Sequence, residues 1–389
     1  MISGAAIAVR RLLVQLGFAV GCLFPVRSRI VLATGHDARL RGNLEAIRLA
    51  IVAQMPAAAV TSLAHPPGRG LRARVAAAFN AVRDGYELAR ARLFVVDDYF
   101  FPLYVVRPRR ETMIVQVWHA SGAFKKMGYS LADKTFGSDD ALLKLVTIHS
   151  NYDLCLVSTR RVAPFYAEAF GQPLDRFTSE IGIPRADPFF DGTWRSRTAS
   201  IRDRWRIPDG KRVLLYAPTF RGDRVTEAHH VDHLDLEAMR EILGEDNVLL
   251  LRRHPFVRAP SPLTRTLKGF VIDATGAADI EELMFISDLL ITDYSSAIFE
   301  FAILERPIAF YAPDLDEYER ERGFYFDYRS GVPGPVFTDT RALARWVRDG
   351  PFDVDRIRRF RDETYDVRDG RAASRFVDRV VRSALPPVA

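Results

Sequence analysis

Cysteine is scarce in this chain: Cys22 and Cys155 stand far apart in different surroundings. That excludes a disulfide framework and a cysteine-based metal site, and it fits a reducing cytoplasm. A Walker-type glycine-rich loop, an HExxH pair and an EF-hand loop are missing, so P-loop, zincin and calcium-sensor chemistries find no support. Lysine is rare, the cationic residues being overwhelmingly arginine. Basic residues are not interleaved with aromatics as in nucleic-acid modules, and nucleic acid is not an expected partner. Short repeats and low-complexity tracts are absent, and no apolar run reaches the roughly 20 residues that span a bilayer.

What is present is a chain of 389 residues, 48% hydrophobic and 27% charged. A single core stops growing near roughly 250 to 300 residues, so two domains are expected. The formal charge is +6. Arginine's planar fork of donors suits phosphate, which points to nucleotides, phosphorylated polymers or an anionic membrane face. A genome rich in G and C would produce the same arginine excess, so charge alone decides nothing.

At the N-terminus Arg10 and Arg11 precede an apolar stretch from Leu12 to Val26. Residues 1–27 are read as an apolar and basic helix that packs on the protein or lies in a membrane interface. The alternatives are a true span or a removed signal, with Cys22 after Gly21 faintly resembling a lipoprotein cleavage site. A βα rhythm follows, with strands expected at Arg29 to Thr34, Leu93 to Val96, Met113 to Val117 and Leu154 to Ser158, and helices at Asn43 to Gln54 and Asp139 to Ile148. The rhythm breaks near Phe189 to Ser200 and resumes with strands at Arg212 to Ala217, Asn247 to Arg252, Phe270 to Asp273, Leu289 to Thr292 and Pro307 to Phe310. This alternation predicts an α/β fold of two Rossmann-like, doubly wound parallel sheets, 28–193 and 194–389. Arg371 to Leu385 sets Phe376, Val377, Val380, Val381 and Ala384 on one face of a terminal helix.

Ligands of such sheets bind at the carboxyl ends of the strands, and the polar motifs fall there. VWHASGAFKK, Val117 to Lys126, places His119 at a strand end, able to take a proton from an attacking hydroxyl, among small residues that leave room for a ligand. A core histidine beside Trp118 is the bland alternative. LLLRRHP, Leu249 to Pro255, clusters Arg252, Arg253 and His254, donors suited to a pyrophosphate or else an exposed charged loop. In the segment Ser287 to Pro307 a buried strand runs into Thr292, Asp293, Tyr294, Ser295 and Ser296 at a helix start, where free N–H groups attract anions. Ser295 or Ser296 also suits a capping role. YAPTFRGD, Tyr216 to Asp223, offers Thr219 and Arg221. RGFYFDY, Arg322 to Tyr328, follows an acidic stretch in which Asp314 and Asp316 make a weak metal pair, better read as solvated charge.

Taken in order, the WHA run at His119, the RHP at Arg253 to Pro255, the LITDYSSAIFEFAILERP segment and RGFYFDY closely resemble the CDP-glycerol:poly(glycerophosphate) glycerophosphotransferase family, over roughly Arg29 to Asp366. The resemblance implies a GT-B-like fold, with two Rossmann-like domains facing across a cleft. It implies transfer of a polyol phosphate, glycerol phosphate foremost and ribitol phosphate next, from a CDP-activated donor to a hydroxyl of a lipid-linked or polymeric phosphate-containing acceptor. By the same resemblance His119 is the general base and His254 is catalytic with it. Arg252 or Arg253 engages the donor pyrophosphate, and Thr292, Asp293, Ser295 and Ser296 form the phosphate loop, with Thr219 and Arg221 nearby. No metal or other cofactor is expected, and the enzyme should sit in the cytoplasm on the inner face of the cell membrane. One departure is Ala120, where many members carry glycine after the motif histidine; it bears on the acceptor rather than the chemistry. The competing reading is a sugar-nucleotide glycosyltransferase or hexose-phosphate transferase of capsule synthesis, which shares the fold.

Overall fold

The computed structural model describes residues 4–35, 37–65, 70–131, 146–221, 233–253, 263–276 and 279–385. Two six-stranded sheets, parallel throughout, account for both halves of the chain. The first has the order β2-β1-β3-β4-β5-β6, built from β1 (Arg29–Ala33), β2 (Ala59–Leu63), β3 (Leu93–Val96), β4 (Met113–Gln116), β5 (Leu154–Leu156) and β6 (Phe177–Thr178). The second has the order β12-β11-β10-β7-β8-β9, from β7 (Arg212–Ala217), β8 (Asn247–Leu251), β9 (Val271–Asp273), β10 (Leu289–Thr292), β11 (Ile308–Tyr311) and β12 (Val336–Phe337). The strand order reverses between β1 and β3 in one sheet and between β7 and β10 in the other, the crevices where such sheets take ligands.

Central strands are buried on both faces and read as apolar runs: β3 and β10 have no exposed residue. Three strands had no expectation from sequence. β2 is a half-exposed edge strand, and β6 and β12 are two residues long. The helix expected over Asp139 to Ile148 lies outside the described residues up to 145, and 146–148 are not helical.

The N-terminal segment forms helix α1 (Gly4–Cys22), which precedes α2 (Gly42–Gln54) and pairs with α3 (Gly70–Arg90). The pairing is close because glycines face backbone: a Cβ at Gly17 would overlap the Val82 carbonyl, and one at Gly85 the Val14 carbonyl. Small residues at a helix crossing let the axes approach, at a cost to helix propensity that packing offsets.

The chain crosses between the domains more than once, which departs from a simple division at residue 193. Ile183, Ala186 and Phe189 already pack in the core of the second sheet. The terminal helix, expected with the second half, returns to the first: Phe376, Val377, Val380 and Val381 pack against Ile30, Leu32, Val95 and Val115. The apolar face expected at these positions is the one that does this. It needed an uncovered sheet face, and the first sheet supplied it. The Asp187 carboxylate accepts the Ala372 and Ala373 N–H groups, both at 2.8 Å, and pins the start of the returning helix. A third tie is aromatic: Phe124 stacks on Phe326 (5.4 Å) and Tyr328 (5.9 Å) and lies 5.4 Å from Phe324. Backbone bonds from Lys126 N to the Gly323 carbonyl and from Tyr325 N to the Phe124 carbonyl sew WHASGAFKK to RGFYFDY.

Candidate active site

The β4 exit is held in a strained backbone. Trp118 has φ +50°, a left-handed conformation that costs a bulky residue about 1–2 kcal/mol. Side chains overdetermine it: Gln116 Oε1 accepts the Trp118 N–H at 2.8 Å, and Asn43 Nδ2, from α2, donates to the Val117 and Trp118 carbonyls at 2.9 and 2.8 Å. The effect is to turn the next side chain outward. His119 is 44% exposed and stacks on Trp118 at 4.5 Å. Its Nδ1 lies 3.2 Å from the Asp97 carbonyl and 3.8 Å from Asp98 Oδ1. A carbonyl only accepts, so Nδ1 carries a proton, and in the neutral ring the lone pair is then on Nε2, the tautomer a general base requires.

Beside it Arg185 links the domains. Its Nη1 donates to the His119 carbonyl at 2.6 Å, its Nη2 to Glu281, and its Nε lies 3.5 Å from Glu300. The Asn43 side chain accepts the Arg185 N–H at 2.9 Å. Burial opposes the Glu281 carboxylate, but Arg185, with Arg252 beyond it, outweighs burial and holds the carboxyl below its usual range. Glu300, deeper, is pushed up by burial despite Arg185 and the 2.6 Å bond from Ser121. Across this bridge Arg252 stands at the β8 exit near Glu281 and Arg41, and its guanidinium makes no ion pair or hydrogen bond among the described residues. A half-buried cation so placed is available to a phosphate.

The remaining expected residues are disposed differently. Arg253 is 1% exposed; it pairs with Asp273 at 2.9 Å and its N–H donates to Thr275, so it braces the β8 and β9 ends. His254 lies outside the described residues. Thr292 is buried, its hydroxyl on the Ala217 carbonyl at 2.7 Å. Asp293 accepts from Thr219 N (2.8 Å), the Thr219 hydroxyl (3.0 Å), Tyr294 N (2.6 Å) and Arg221 (3.0 Å). Arg221 pairs also with Asp314 at 2.6 Å and lies 5.0 and 5.1 Å from the ring centroids of Tyr294 and Tyr318, which stack on each other at 3.8 Å. Thr219, Arg221, Thr292 and Asp293 therefore hold one another across the β7/β10 switch point. Ser295 and Ser296 are half-buried at the head of the helix Ala297–Ile303, where the Ser295 hydroxyl accepts the Ala297 N–H at 3.2 Å.

The small residues after His119 face protein, not ligand. A Cβ at Gly122 would sit 2.5 Å from the Phe299 ring of the second domain, and Ser121 is 1% exposed on Glu300. Asp314 serves Arg221 and Tyr294 while Asp316 is exposed on Arg329, so the two do not converge. Among the described residues no three His, Cys, Asp or Glu side chains cluster as metal ligands. Asn43, Arg185 and Glu281 had no sequence signal. Each sits outside a motif, and their meeting exists only once both sheets are folded.

Two parallel-sheet domains of GT-B-like arrangement, with an exposed histidine at one strand exit and at the other an arginine whose side chain has no partner among the described residues, fit a transferase that handles phosphate esters. The chain belongs to the CDP-Glycerol:Poly(glycerophosphate) glycerophosphotransferase family, which residues 22–382 match. Membership of that family makes it a glycerophosphotransferase-like enzyme. It is 38% identical over 366 residues to the teichoic acid ribitol-phosphate primase of Bacillus spizizenii, covering 92% of each chain. To the ribitol-phosphate polymerase TarL of Staphylococcus aureus it is 36% identical over 295 residues, 75% of this chain but 52% of TarL. The fold matches the wall teichoic acid polymerase TagF with a TM-score of 0.78 at 24% identity, over 98% of this chain and 94% of that one.

Proposed function

We propose that the enzyme transfers a polyol phosphate from a CDP-activated donor to a hydroxyl of a lipid-linked acceptor and releases CMP. The acceptor oxygen attacks the donor's β-phosphorus, its proton passes to His119 Nε2, and the bond from that phosphorus to the bridging oxygen breaks, the electron pair leaving with CMP. Arg252, His254 and the Ser295–Ser296 helix start hold the phosphates, and positioning with electrostatic stabilisation supplies most of the rate, as phosphoryl transfer generally requires. The observation that carries this reading is the His119 geometry: an exposed imidazole at a strand exit with Nδ1 directed at the Asp97 carbonyl, which turns the Nε2 edge away from that anchor. No metal is assigned a role.

Ribitol phosphate rather than glycerol phosphate is the unit favoured, since the ribitol-phosphate primase aligns over 92% of each chain at 38% identity whereas the glycerol-phosphate primase of Bacillus subtilis is 29% identical. The test incubates the protein with CDP-ribitol, CDP-glycerol or UDP-sugars and a lipid-linked acceptor, and follows free nucleotide in excess chelator. CMP release from CDP-ribitol supports the reading; turnover only with UDP-sugars, or only after magnesium is restored, overturns it.

An acceptor with a lipid tail demands contact with a membrane, and the α1–α3 pair suits one. Val9, Leu12, Leu16 and Val20 are exposed at intervals of three and four along α1, with Leu23 just past its end, and Leu71, Val75 and Phe79 are exposed on α3. Such an apolar face on a soluble surface marks an interaction site. We assign it to the inner face of the cell membrane, with α1 lying in the interface.

A further inference from the structure

The first sheet has chemistry at both ends. Its carboxyl end carries His119, and at its amino end the approaches to β3, β4, β5 and β6 border an open cleft of about 460 Å³. Five arginines line it: Arg92, Arg107, Arg109, Arg110 and Arg176. Two carboxylates, Glu111 and Asp153, join them and offset part of the charge, and the lining stays cationic. Asp153 already accepts the Ile114 N–H at 2.8 Å, and Glu111 lies 3.6 Å from Arg109. Arg92 and Arg176 donate to the carbonyls of Ala384 and Tyr152, which fixes their positions but leaves their charge. Arg107 and Arg110 are exposed and make no ion pair or hydrogen bond among the described residues. Like charges gathered in a concavity repel one another and raise the local concentration of anions. The backbone bonds of Arg92, Arg109 and Arg176 do not account for Arg107 and Arg110, and guanidinium forks match phosphate oxygens.

The position of the cleft selects the anion. Arg109 Nη1 donates to the Phe24 carbonyl at 2.7 Å, so the arginines abut the end of α1 where Leu23 is 80% and Phe24 46% exposed. A ligand seated here meets cations on one side and the end of the apolar face on the other. We propose that this pocket binds the phosphate of an anionic phospholipid headgroup, with the acyl chains beside Leu23 and Phe24. The assignment rests on the membrane reading of α1 and α3. It adds a site of defined chemistry, distinct from the donor cleft at the other end of the sheet. A soluble polyol phosphate shares the chemistry but has no use for the apolar rim.

Flotation of the full-length protein with phosphatidylcholine vesicles, with and without phosphatidylglycerol, tests it. Wild type is expected to prefer the anionic vesicles. Arg107→Gln with Arg110→Gln should weaken binding to them by roughly tenfold to thirtyfold, at about 1 kcal/mol for each arginine near the surface. Binding to phosphatidylcholine should be unchanged. Arg345→Gln with Arg359→Gln, the same charge change on exposed arginines of the second domain, should alter neither by more than about twofold. Equal losses in both double variants, or a wild type indifferent to phosphatidylglycerol, overturn the pocket while leaving the membrane face intact. Failure of wild type to bind either vesicle, or binding unaffected by Leu12→Glu with Leu16→Glu, removes the membrane reading itself. Displacement from the anionic vesicles by millimolar glycerol phosphate would assign the site to a soluble phosphate and overturn the lipid.

Discussion

The β4 exit in the first domain and the β10 exit in the second carry the two densest motifs, and they are built in opposite ways. At β4 the scaffold turns a polar side chain outward: backbone strain at Trp118, Gln116 and Asn43 all serve to present His119. At β10 the polar side chains turn inward, so that Asp293 spends its oxygens on Thr219, Arg221 and Tyr294, and Thr292 is bonded to the Ala217 carbonyl. A group that must change protonation during a reaction needs solvent and substrate around it. A loop that must hold still under a charged ligand gains from saturating its own polar atoms. Similar residue types thus do different work, and burial is what separates them.

The largest effect should come from removing the presented group. His119→Ala is expected to lower kcat for CMP release by roughly 10² to 10⁴ while changing donor KM little, because a base acts in the transition state. Unchanged circular dichroism would show that the fold survives. A tenfold rise in KM with kcat intact would make His119 a binding residue and erase the contrast. The inward loop should answer with stability instead. Asp293→Ala leaves Arg221 with Asp314 alone and strands two N–H groups and a hydroxyl, so a loss of about 3 kcal/mol is expected in urea unfolding. Near-wild-type stability with loss of donor binding would mean that Asp293 meets the ligand after all.

The contrast also explains what was legible beforehand. Strands buried on both faces announce themselves as apolar runs, and His119, Arg252, Ser295 and Ser296 were legible as polar residues just past them. Inward use was not, because Thr219, Arg221, Thr292 and Asp293 look the same in sequence whether they grip a phosphate or each other. The β2 edge, half-exposed, and two-residue strands such as β12 carry no periodicity to read. Arg185 and Glu281 lie 96 positions apart, and only the assembled domains make them partners. The apolar face of the terminal helix was visible, yet which sheet it would cover depends on a chain crossing that no local pattern encodes.

Gly122 sharpens the comparison from the domain contact that both exits share. Its small size reads as room for a ligand, whereas in the fold a Cβ there meets Phe299, whose ring lies against Phe360 and Phe124. Gly122→Ala is therefore expected to cost about 1–3 kcal/mol by overpacking. Moving the second domain away from His119 should also lower kcat. Loss of acceptor affinity alone, with stability unchanged, would restore the ligand-facing reading.

The last effect, confined to acid pH, concerns a second histidine on the first-domain side, and it separates exposure from residue type. His149 is fully buried, stacks on Phe170 at 4.0 Å and meets the Tyr152 hydroxyl through Nδ1 at 3.1 Å. Burial pushes its pKa down to about 3, Asp98 opposing weakly, whereas an unfolded chain would titrate near 6.5. The unfolded state therefore takes up the proton first as pH falls. The contribution of neutral His149 is fully present above about 6.5 and is lost progressively as pH falls toward 3. His149→Phe keeps a ring against Phe170 and removes the titration, so its Tm should fall less between pH 6.5 and 4 than that of wild type. Parallel Tm profiles for wild type and His149→Phe would mean that the buried imidazole finds a proton donor or solvent in the folded protein, and that burial alone does not separate the two histidines.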